Sequence, residues 1–159
     1  MSIQSRPNDP EIQKLEAVDG AKDTGRSYRI LVVEDNRDSR EMLRTMLAES
    51  NSSFHPVGVE TAAEALMLDG REPFDLYVLD IWLPGMDGIG LCRRLRERKR
   101  EQPIIFFSAM VQPSDREYVL AAGANEFLVK PNDIDIFLPT VNRLLGISDE
   151  GTAERQLTK

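Results

Sequence analysis

Three acidic residues in this sequence directly follow short apolar runs, a position from which side chains often carry out chemistry. Residues 76–79 are apolar and end at Asp80, and residues 30–33 end at the pair Glu34-Asp35. A continuous apolar run of this length is typical of a strand buried on both faces of a parallel sheet. In open sheets of this kind the ligand site lies beyond the carboxyl ends of the strands. Asp80 could equally cap the loop that follows it, because Asp is a common turn residue.

Two further apolar runs end in polar residues of other kinds. Residues 103–107 stop at Ser108, and residues 127–129 stop at Lys130. If the four strands run parallel, their carboxyl ends meet at one edge of the sheet and collect three acids, a hydroxyl and an ammonium. Three crowded carboxylates repel one another unless a cation neutralises them, and an all-oxygen cluster suits a hard ion such as Mg²⁺. The ammonium adds a charge that can pair with an anion such as phosphate.

Four short motifs occur in an order and at a spacing that match a known family. They are VVEDN at residues 32–36, LDIWLPGMDG at 79–88, FSA at 107–109 and VKP at 129–131. With these motifs in register, the sequence resembles a receiver domain of the two-component response regulators over about residues 28–146. Two ends lie outside the resemblance: residues 1–27, which we interpret as a flexible N-terminal arm, and residues 147–159, a polar C-terminal tail.

The alternation of strand-like and helix-like segments sets the expected fold. Five strands alternating with five helices predict an α/β fold, a doubly wound five-stranded parallel sheet, flavodoxin-like, with strand order 2-1-3-4-5. Residues 61–64 (TAAE) and 114–117 (SDRE) have the capping-box pattern that begins a helix. Pro139 cannot lie deep within a helix, so we expect the last helix to be capped at Asp135 and to keep the proline in its first turn.

The resemblance implies a role for each acid. Asp80 is the expected phosphoacceptor, whose carboxylate takes a phosphoryl group from a phosphohistidine on a histidine kinase or a phosphotransfer protein. Mg²⁺ is the implied cofactor, bound by Asp35, Asp80 and the backbone carbonyl of Trp82. Glu34 matches the first acid of the family's pair, often Asp there, and its longer side chain leaves a direct or a water-mediated metal contact open. Phosphoryl transfer needs positioning and neutralisation of oxygen charge more than a strong base, which agrees with this set.

Four more residues complete the mechanism that the resemblance implies. Lys130 pairs with the phosphoryl oxygens, Ser108 donates a hydrogen bond to one of them, and Pro131 follows a cis peptide bond. Phe127 occupies the family's switch-aromatic position, which swings inward as Ser108 moves toward the phosphate. We expect this movement to shift the population between two arrangements of the surface formed by the fourth helix, the fifth strand and the fifth helix.

Two other functions fit parts of this pattern. An intact fold that takes no phosphate, a pseudo-receiver, stays open, although every expected acid, hydroxyl and amine is present. A phosphatase-like hydrolase would need an acid two residues after its aspartyl nucleophile, and Trp82 occupies that position. We therefore expect a signalling phosphoacceptor and not an enzyme. Neither Trp82 nor Met110 offers a useful donor to an attacking water, so the phosphoryl group should be long-lived.

The composition limits the class of protein. With 159 residues and 41% hydrophobic content, the chain can form a one-domain core. The net charge of −7 argues against direct nucleic-acid binding, so we interpret the basic stretch at residues 93–100 as a solvated helix end and not as a nucleic-acid patch. No long apolar stretch or signal pattern occurs, which predicts a cytoplasmic protein without membrane contact. The single Cys92 is expected to be a buried small residue.

The two ends leave the output open. Ile12, Leu15 and Val18 could form one side of a short helix, so the arm is either frayed or a docking element. The chain is either a stand-alone receiver that acts on a downstream protein target, or the receiver part of a longer regulator with an effector domain, for example a DNA-binding one. A homodimer that forms on phosphorylation would fit both interpretations.

Overall fold

The computed structural model describes residues 25–109 and 112–148. These residues form a parallel sheet of five strands in the order β2-β1-β3-β4-β5, with a helix after each strand, which confirms the predicted fold class. The elements are β1 Tyr28–Val33, α1 Arg37–Ser50, β2 Phe54–Val59, α2 Ala62–Arg71, β3 Leu76–Leu79, α3 Gly88–Glu97, β4 Ile104–Ser108, α4 Pro113–Ala121, β5 Glu126–Val129 and α5 Ile134–Leu145. The predicted arm helix, Met110 and the tail beyond residue 148 lie outside the described residues.

The sheet is buried on both faces because each strand sends alternate side chains to opposite sides. In β1, Ile30 and Val32 pack on the face covered by α1 and α5, whereas Leu31 and Val33 pack on the face covered by α2, α3 and α4. Cys92 is buried on the face covered by α2, α3 and α4, which confirms the predicted burial, and this burial raises its pKa to about 11. Among the described residues, no helix combines the length and the apolar character that a membrane crossing requires.

The start of α2 agrees with the sequence pattern, and the start of α4 does not. The Glu64 N–H donates to Thr61 Oγ1 at 3.2 Å, and the Thr61 N–H donates to Glu64 Oε2 at 3.3 Å, which forms the predicted capping box. The box predicted at Ser114 is wrong, because α4 already begins at Pro113, and proline fits best at the first helical position. Asp115 lies in the first turn of this helix, and its carboxylate accepts the N–H of Gln112, the residue before Pro113, at 2.7 Å.

The start of α5 also differs from the prediction, for a reason that its contacts explain. The helix is capped at Asp133 and not at Asp135, so Pro139 lies inside it and not in its first turn. Asp133 is fixed to the end of β5: its N–H donates to the Val129 carbonyl at 2.8 Å, and its Oδ2 accepts the Val129 N–H at 2.8 Å. Proline removes the helical hydrogen bond to the carbonyl of Asp135. Both Asp135 and Pro139 are exposed, so water can satisfy that carbonyl.

The basic stretch at the end of α3 is engaged in the fold. Arg96 donates to the carbonyl of Gly123 at 2.9 Å and to Asn125 Oδ1 at 3.0 Å. Two more arginines of the stretch, Arg98 and Arg100, turn toward a buried carboxylate. The interpretation as a solvated helix end is therefore wrong for Arg96 and Arg100, which are partly buried against segments distant in sequence. Arg98 stays exposed, in agreement with that interpretation, although it also reaches the buried carboxylate.

Asp69 is the buried carboxylate, and it joins three parts of the fold. It lies fully buried near the end of α2. Its oxygens accept the Tyr77 hydroxyl from β3 at 2.5 Å, Arg100 Nε at 3.2 Å and Arg98 Nη1 at 3.4 Å. Burial raises the pKa of Tyr77, and Asp69 raises it further, so the tyrosine hydroxyl remains a donor. A buried carboxylate of this kind is tolerated only while its donors are in place.

Asp69→Asn should lower the free energy of unfolding by about 3 kcal/mol, because it leaves the partly buried Arg100, and Arg98 beside it, without their counter-charge. Urea denaturation at neutral pH, followed by circular dichroism, measures the change. Glu97→Gln is the matched control, since among the described residues the ion pair of Glu97 is the exposed one with Arg94, 3.8 Å apart, and its loss should cost less than about 0.5 kcal/mol. Similar denaturation midpoints for the two variants would contradict the role given to Asp69.

Candidate functional site

The site lies at the carboxyl edge of the sheet, where backbone hydrogen bonds continue past the ends of the strands. The Asp80 N–H donates to the Val33 carbonyl at 3.0 Å, and the Lys130 N–H donates to the Ser108 carbonyl at 2.9 Å. Neighbouring strands therefore stay paired up to the residues that carry the functional groups. As a result, the side chains that follow β1 and β3 come together with those at the ends of β4 and β5.

Three acids form a cluster at this edge. Glu34, Asp35 and Asp80 each place one carboxylate oxygen within 4.8 Å of the other two. Glu34 is 2% exposed and Asp80 is also buried, whereas Asp35 is exposed and leaves the cluster open to solvent. Carboxylate oxygens are the donors that hard divalent cations such as Mg²⁺ take in proteins, so the residues present fit such an ion.

The Asp80 carboxylate has a partner for each oxygen. Ser108 Oγ donates to Oδ1 at 2.6 Å, and the Trp82 N–H lies 3.4 Å from the same oxygen. Lys130 Nζ lies 3.8 Å from Oδ2. The hydrogen bond on one side and the cation on the other give this carboxylate a fixed orientation in the site.

Glu34 is the most buried acid of the cluster and depends on its neighbours. Lys130 Nζ forms an ion pair with Oε2, and the Asn36 N–H donates to Oε1 at 2.9 Å. Burial raises the pKa of Glu34 above its usual value, and both Lys130 and the Asn36 N–H act against that effect without cancelling it. The peptide bond between Lys130 and Pro131 is cis, as the resemblance predicted.

The turn after β3 fixes Asp80 through a close approach to α3. A Cβ on Gly88 would lie 1.9 Å from the carbonyl oxygen of Asp80, so only glycine fits there. The Gly88 N–H donates to the Ile81 carbonyl at 2.9 Å, and Asp87 caps α3 by accepting the Gly90 N–H at 2.7 Å. The Asp87-Gly88 turn thus determines where the loop that carries Asp80 can lie.

Arg40 belongs to the surroundings of the site, although no motif of the sequence marks it. It is buried on α1, its Nη1 donates to the Glu34 carbonyl at 2.8 Å, and its Nη2 pairs with Glu60 Oε1 at 3.0 Å. The sequence does contain a signal for it, because Arg40 lies on the same face of α1 as Leu43 and Leu47. A charged residue in an apolar stripe indicates a partner inside the fold.

The structure also places the two remaining residues of the predicted set. Phe127 is buried in β5 and is paired with Phe106 of β4 in the sheet. The Trp82 side chain, two residues after Asp80, is 62% exposed. The metal contact of the Trp82 carbonyl and the switching of Phe127 stay predictions.

A buried aspartate between an acid cluster and a lysine, at the carboxyl edge of a doubly wound sheet, defines a receiver-type site. The family model for the response regulator receiver domain matches residues 30–142, and the chain belongs to this family. Two curated relatives are each 38% identical to it: response regulator MprA of Mycobacterium leprae (strain TN), over 120 residues, and MprA of Mycobacterium sp. (strain KMS), over 135 residues. The alignments cover 74% and 82% of this chain but 50% and 56% of the relatives, so the chain spans about half the length of the curated relatives it matches.

Solved receiver domains have the same fold. The receiver domain of Francisella response regulator 1452 is 28% identical, with a TM-score of 0.69 over 76% of this chain and 98% of that one. The non-phosphorylated receiver domain of HemR from Leptospira biflexa is 30% identical, with a TM-score of 0.68 over 77% of this chain and 97% of that one. In both cases the similarity extends over nearly the whole of the solved domain.

In EDTA, Asp35→Asn should raise the free energy of unfolding by about 0.5–1 kcal/mol, because it removes one of three mutually repelling carboxylates. Urea denaturation measures the change. Asp38→Asn is the matched control: Asp38 lies in the first turn of α1, where the helix dipole favours an acid, so its loss should leave the stability equal or slightly lower. A lower stability for Asp35→Asn than for the unsubstituted chain would contradict the repulsion.

Proposed function

We propose that this chain is the phosphoacceptor of a two-component signalling system. Asp80 takes a phosphoryl group from a phosphohistidine of a histidine kinase or a phosphotransfer protein, with Mg²⁺ as the cofactor. The observation that carries the proposal is the position of the Asp80 carboxylate, which lies beside the two other acids, accepts the Ser108 hydroxyl and faces the Lys130 ammonium. Phosphoryl transfer depends mainly on positioning and on neutralising oxygen charge, and these groups can provide both.

In the transfer step, one carboxylate oxygen of Asp80 attacks phosphorus in line with the N–P bond of the phosphohistidine. That bond breaks, its electron pair stays on the imidazole, and an acyl phosphate forms on Asp80. Glu34, Asp35 and Asp80, with the carbonyl of Trp82, would hold Mg²⁺, which supplies positive charge to the phosphoryl oxygens when bound.

Lys130 and Ser108 both contact the Asp80 carboxylate, so they can interact with the oxygens of a phosphoryl group that is transferred to it. Lys130 contacts Glu34 and lies 3.8 Å from Asp80 Oδ2, so a short movement of its ammonium exchanges carboxylate for phosphoryl oxygens. Ser108 donates to Asp80 and would donate to a phosphoryl oxygen after transfer. Because β4 and β5 are paired up to Ser108, its movement can be coupled to Phe127 and to the surface formed by α4, β5 and α5.

The output in this proposal passes through another protein. The phosphorylated chain acts in the cytoplasm on a downstream target, either as a stand-alone receiver or as the receiver part of a longer regulator, and it could form a homodimer on phosphorylation. The engagement of Arg96, Arg98 and Arg100 inside the fold supports the absence of direct nucleic-acid binding by the described residues. A pseudo-receiver that uses the same fold for protein contact alone is the second candidate, and phosphate incorporation separates the two.

Asp80→Asn should abolish the acid-labile phosphorylation that acetyl phosphate or a cognate kinase produces in the presence of Mg²⁺, because an amide oxygen is a poor nucleophile and cannot form the acyl phosphate. Intact-protein mass spectrometry measures the incorporation. Asp87→Asn is the matched control, since it makes the same change in the same loop at a helix cap, where Asn serves as well as Asp. Equal incorporation into Asp80→Asn and the unsubstituted chain would overturn the assignment.

The phosphoryl group on Asp80 should persist, because neither Trp82 nor Met110 has a side chain that orients an attacking water. The Trp82 indole is mostly exposed, so it shields the site from water only in part. The prediction therefore rests mainly on the lack of a side chain that could hold the attacking water by a hydrogen bond. Trp82→Asn combined with Met110→Glu should speed dephosphorylation by about tenfold, or roughly 1.4 kcal/mol. The decay after removal of the phosphodonor in Mg²⁺ buffer measures the rate. Trp82→Phe, which adds no polar group, should leave the rate unchanged, and decay of the unsubstituted chain within seconds would contradict the prediction.

A further inference from the structure

Arg40 reaches from α1 to the backbone behind the acid cluster. Its Nη1 donates to the Glu34 carbonyl at 2.8 Å and lies 3.4 Å from the Asp35 carbonyl, while Nη2 pairs with Glu60 Oε1 at 3.0 Å. The Arg40 side chain is 11% exposed, whereas that of Glu60 is 61% exposed. Burying a guanidinium costs hydration, so its inward contacts with the two carbonyls have to compensate for that loss.

The fold makes room for this arginine at β2. A Cβ on Gly58 would lie 3.0 Å from Cγ and Cδ of Arg40 and 2.7 Å from Cδ of Arg44. The aliphatic parts of both arginine side chains therefore pack against β2 at this glycine. The two side chains then diverge. Arg44 donates to Glu41 on its own helix at 2.9 Å, and Arg40 alone of the pair continues to the site.

We propose that Arg40 is a positioning residue for the metal cluster. Its Nη1 contacts the successive carbonyls of Glu34 and Asp35 while Nη2 pairs with Glu60, so the planar fork fixes the guanidinium against this backbone. A fixed backbone sets the direction in which both carboxylates leave the chain. Its charge also offsets the repulsion among the three acids before a cation binds. This role rests on the proposed binding of Mg²⁺ and adds that the cluster is formed in advance by a group that is not itself a ligand.

A purely structural role would have a different signature. An arginine that only fastens α1 to the turn after β1 would change the free energy of unfolding and leave the Mg²⁺ affinity of the folded chain unchanged. Groups that orient metal ligands without binding the metal themselves typically weaken the metal affinity by about 10–100-fold when they are removed. The Mg²⁺ affinity of the folded chain therefore distinguishes the two roles.

The test is a Mg²⁺ titration followed by the fluorescence of Trp82, the single tryptophan of the chain, two residues from Asp80. Arg40→Met keeps an apolar stem and should raise the Mg²⁺ midpoint about tenfold. Arg40→Lys keeps the charge but not the fork, and should still raise the midpoint about threefold. Arg44→Met is the matched control: it removes the same charge one turn further along α1 and should change the midpoint by less than about twofold.

Urea denaturation in EDTA establishes that each variant is folded in the assay, and Arg40→Lys decides the outcome if Arg40→Met is not folded. A midpoint for the deciding Arg40 variant that equals the wild-type value overturns the positioning role. An equal shift in Arg44→Met also overturns it, because the effect would then be a general loss of positive charge. A wild-type chain with no saturable Mg²⁺ response overturns the proposed metal site and the role of Arg40 together, whereas a normal wild-type response with unchanged Arg40 variants overturns the role of Arg40 alone.

Discussion

The crowding of three carboxylates into one small space is the constraint on which this structure depends. Two like charges about 4 Å apart near a protein surface repel by roughly 4 kcal/mol, and Glu34, Asp35 and Asp80 have oxygens within 4.8 Å of one another. Donors from several elements oppose this repulsion. Lys130 approaches from the end of β5, Arg40 holds the backbone from α1, and Ser108 donates from β4. A cluster of carboxylate oxygens held together in this way fits a hard cation.

The parallel sheet brings these groups together with little help from the loops. Each strand contributes its last residues at the same edge, and the backbone pairing of Asp80 with Val33 and of Lys130 with Ser108 keeps the functional residues in register. The loops then fix single residues. Gly88 allows α3 to approach the carbonyl of Asp80, and Asp133 ties the start of α5 to β5. The backbone of the site is therefore held by contacts from several elements, while Asp35 leaves it open to solvent.

The strands and the residues at their ends could be predicted from the sequence, because a strand buried on both faces is a local pattern and a parallel sheet aligns its ends. The capping box at Thr61 is local too, and it was predicted correctly. One error is local, the capping box at Ser114, because the helix already begins at Pro113. The other errors concern features that depend on distant partners. The basic stretch at residues 93–100 looked solvated because Asp69, which binds Arg98 and Arg100, lies in another helix. Arg40 was missed although it shares the apolar face of α1 with Leu43 and Leu47, because its contacts at the site are with backbone carbonyls, which no motif marks.

The start of α5 was also mispredicted because of a contact that local sequence patterns do not show. The rule against proline inside a helix placed the cap at Asp135, but the hydrogen bonds between Asp133 and Val129 begin the helix earlier. A contact with β5 therefore outweighs the local cost of Pro139, which is exposed at that point.

The most direct test of the central claim locates the phosphoryl group itself. The unsubstituted chain is incubated with acetyl phosphate in Mg²⁺ or in EDTA, the acyl phosphate is trapped by borohydride reduction, and peptide mass spectrometry identifies the modified residue. The account predicts one modified residue, Asp80, in the Mg²⁺ sample and none in the EDTA sample. Modification of another residue, or equal modification of Asp80 in EDTA, would contradict it.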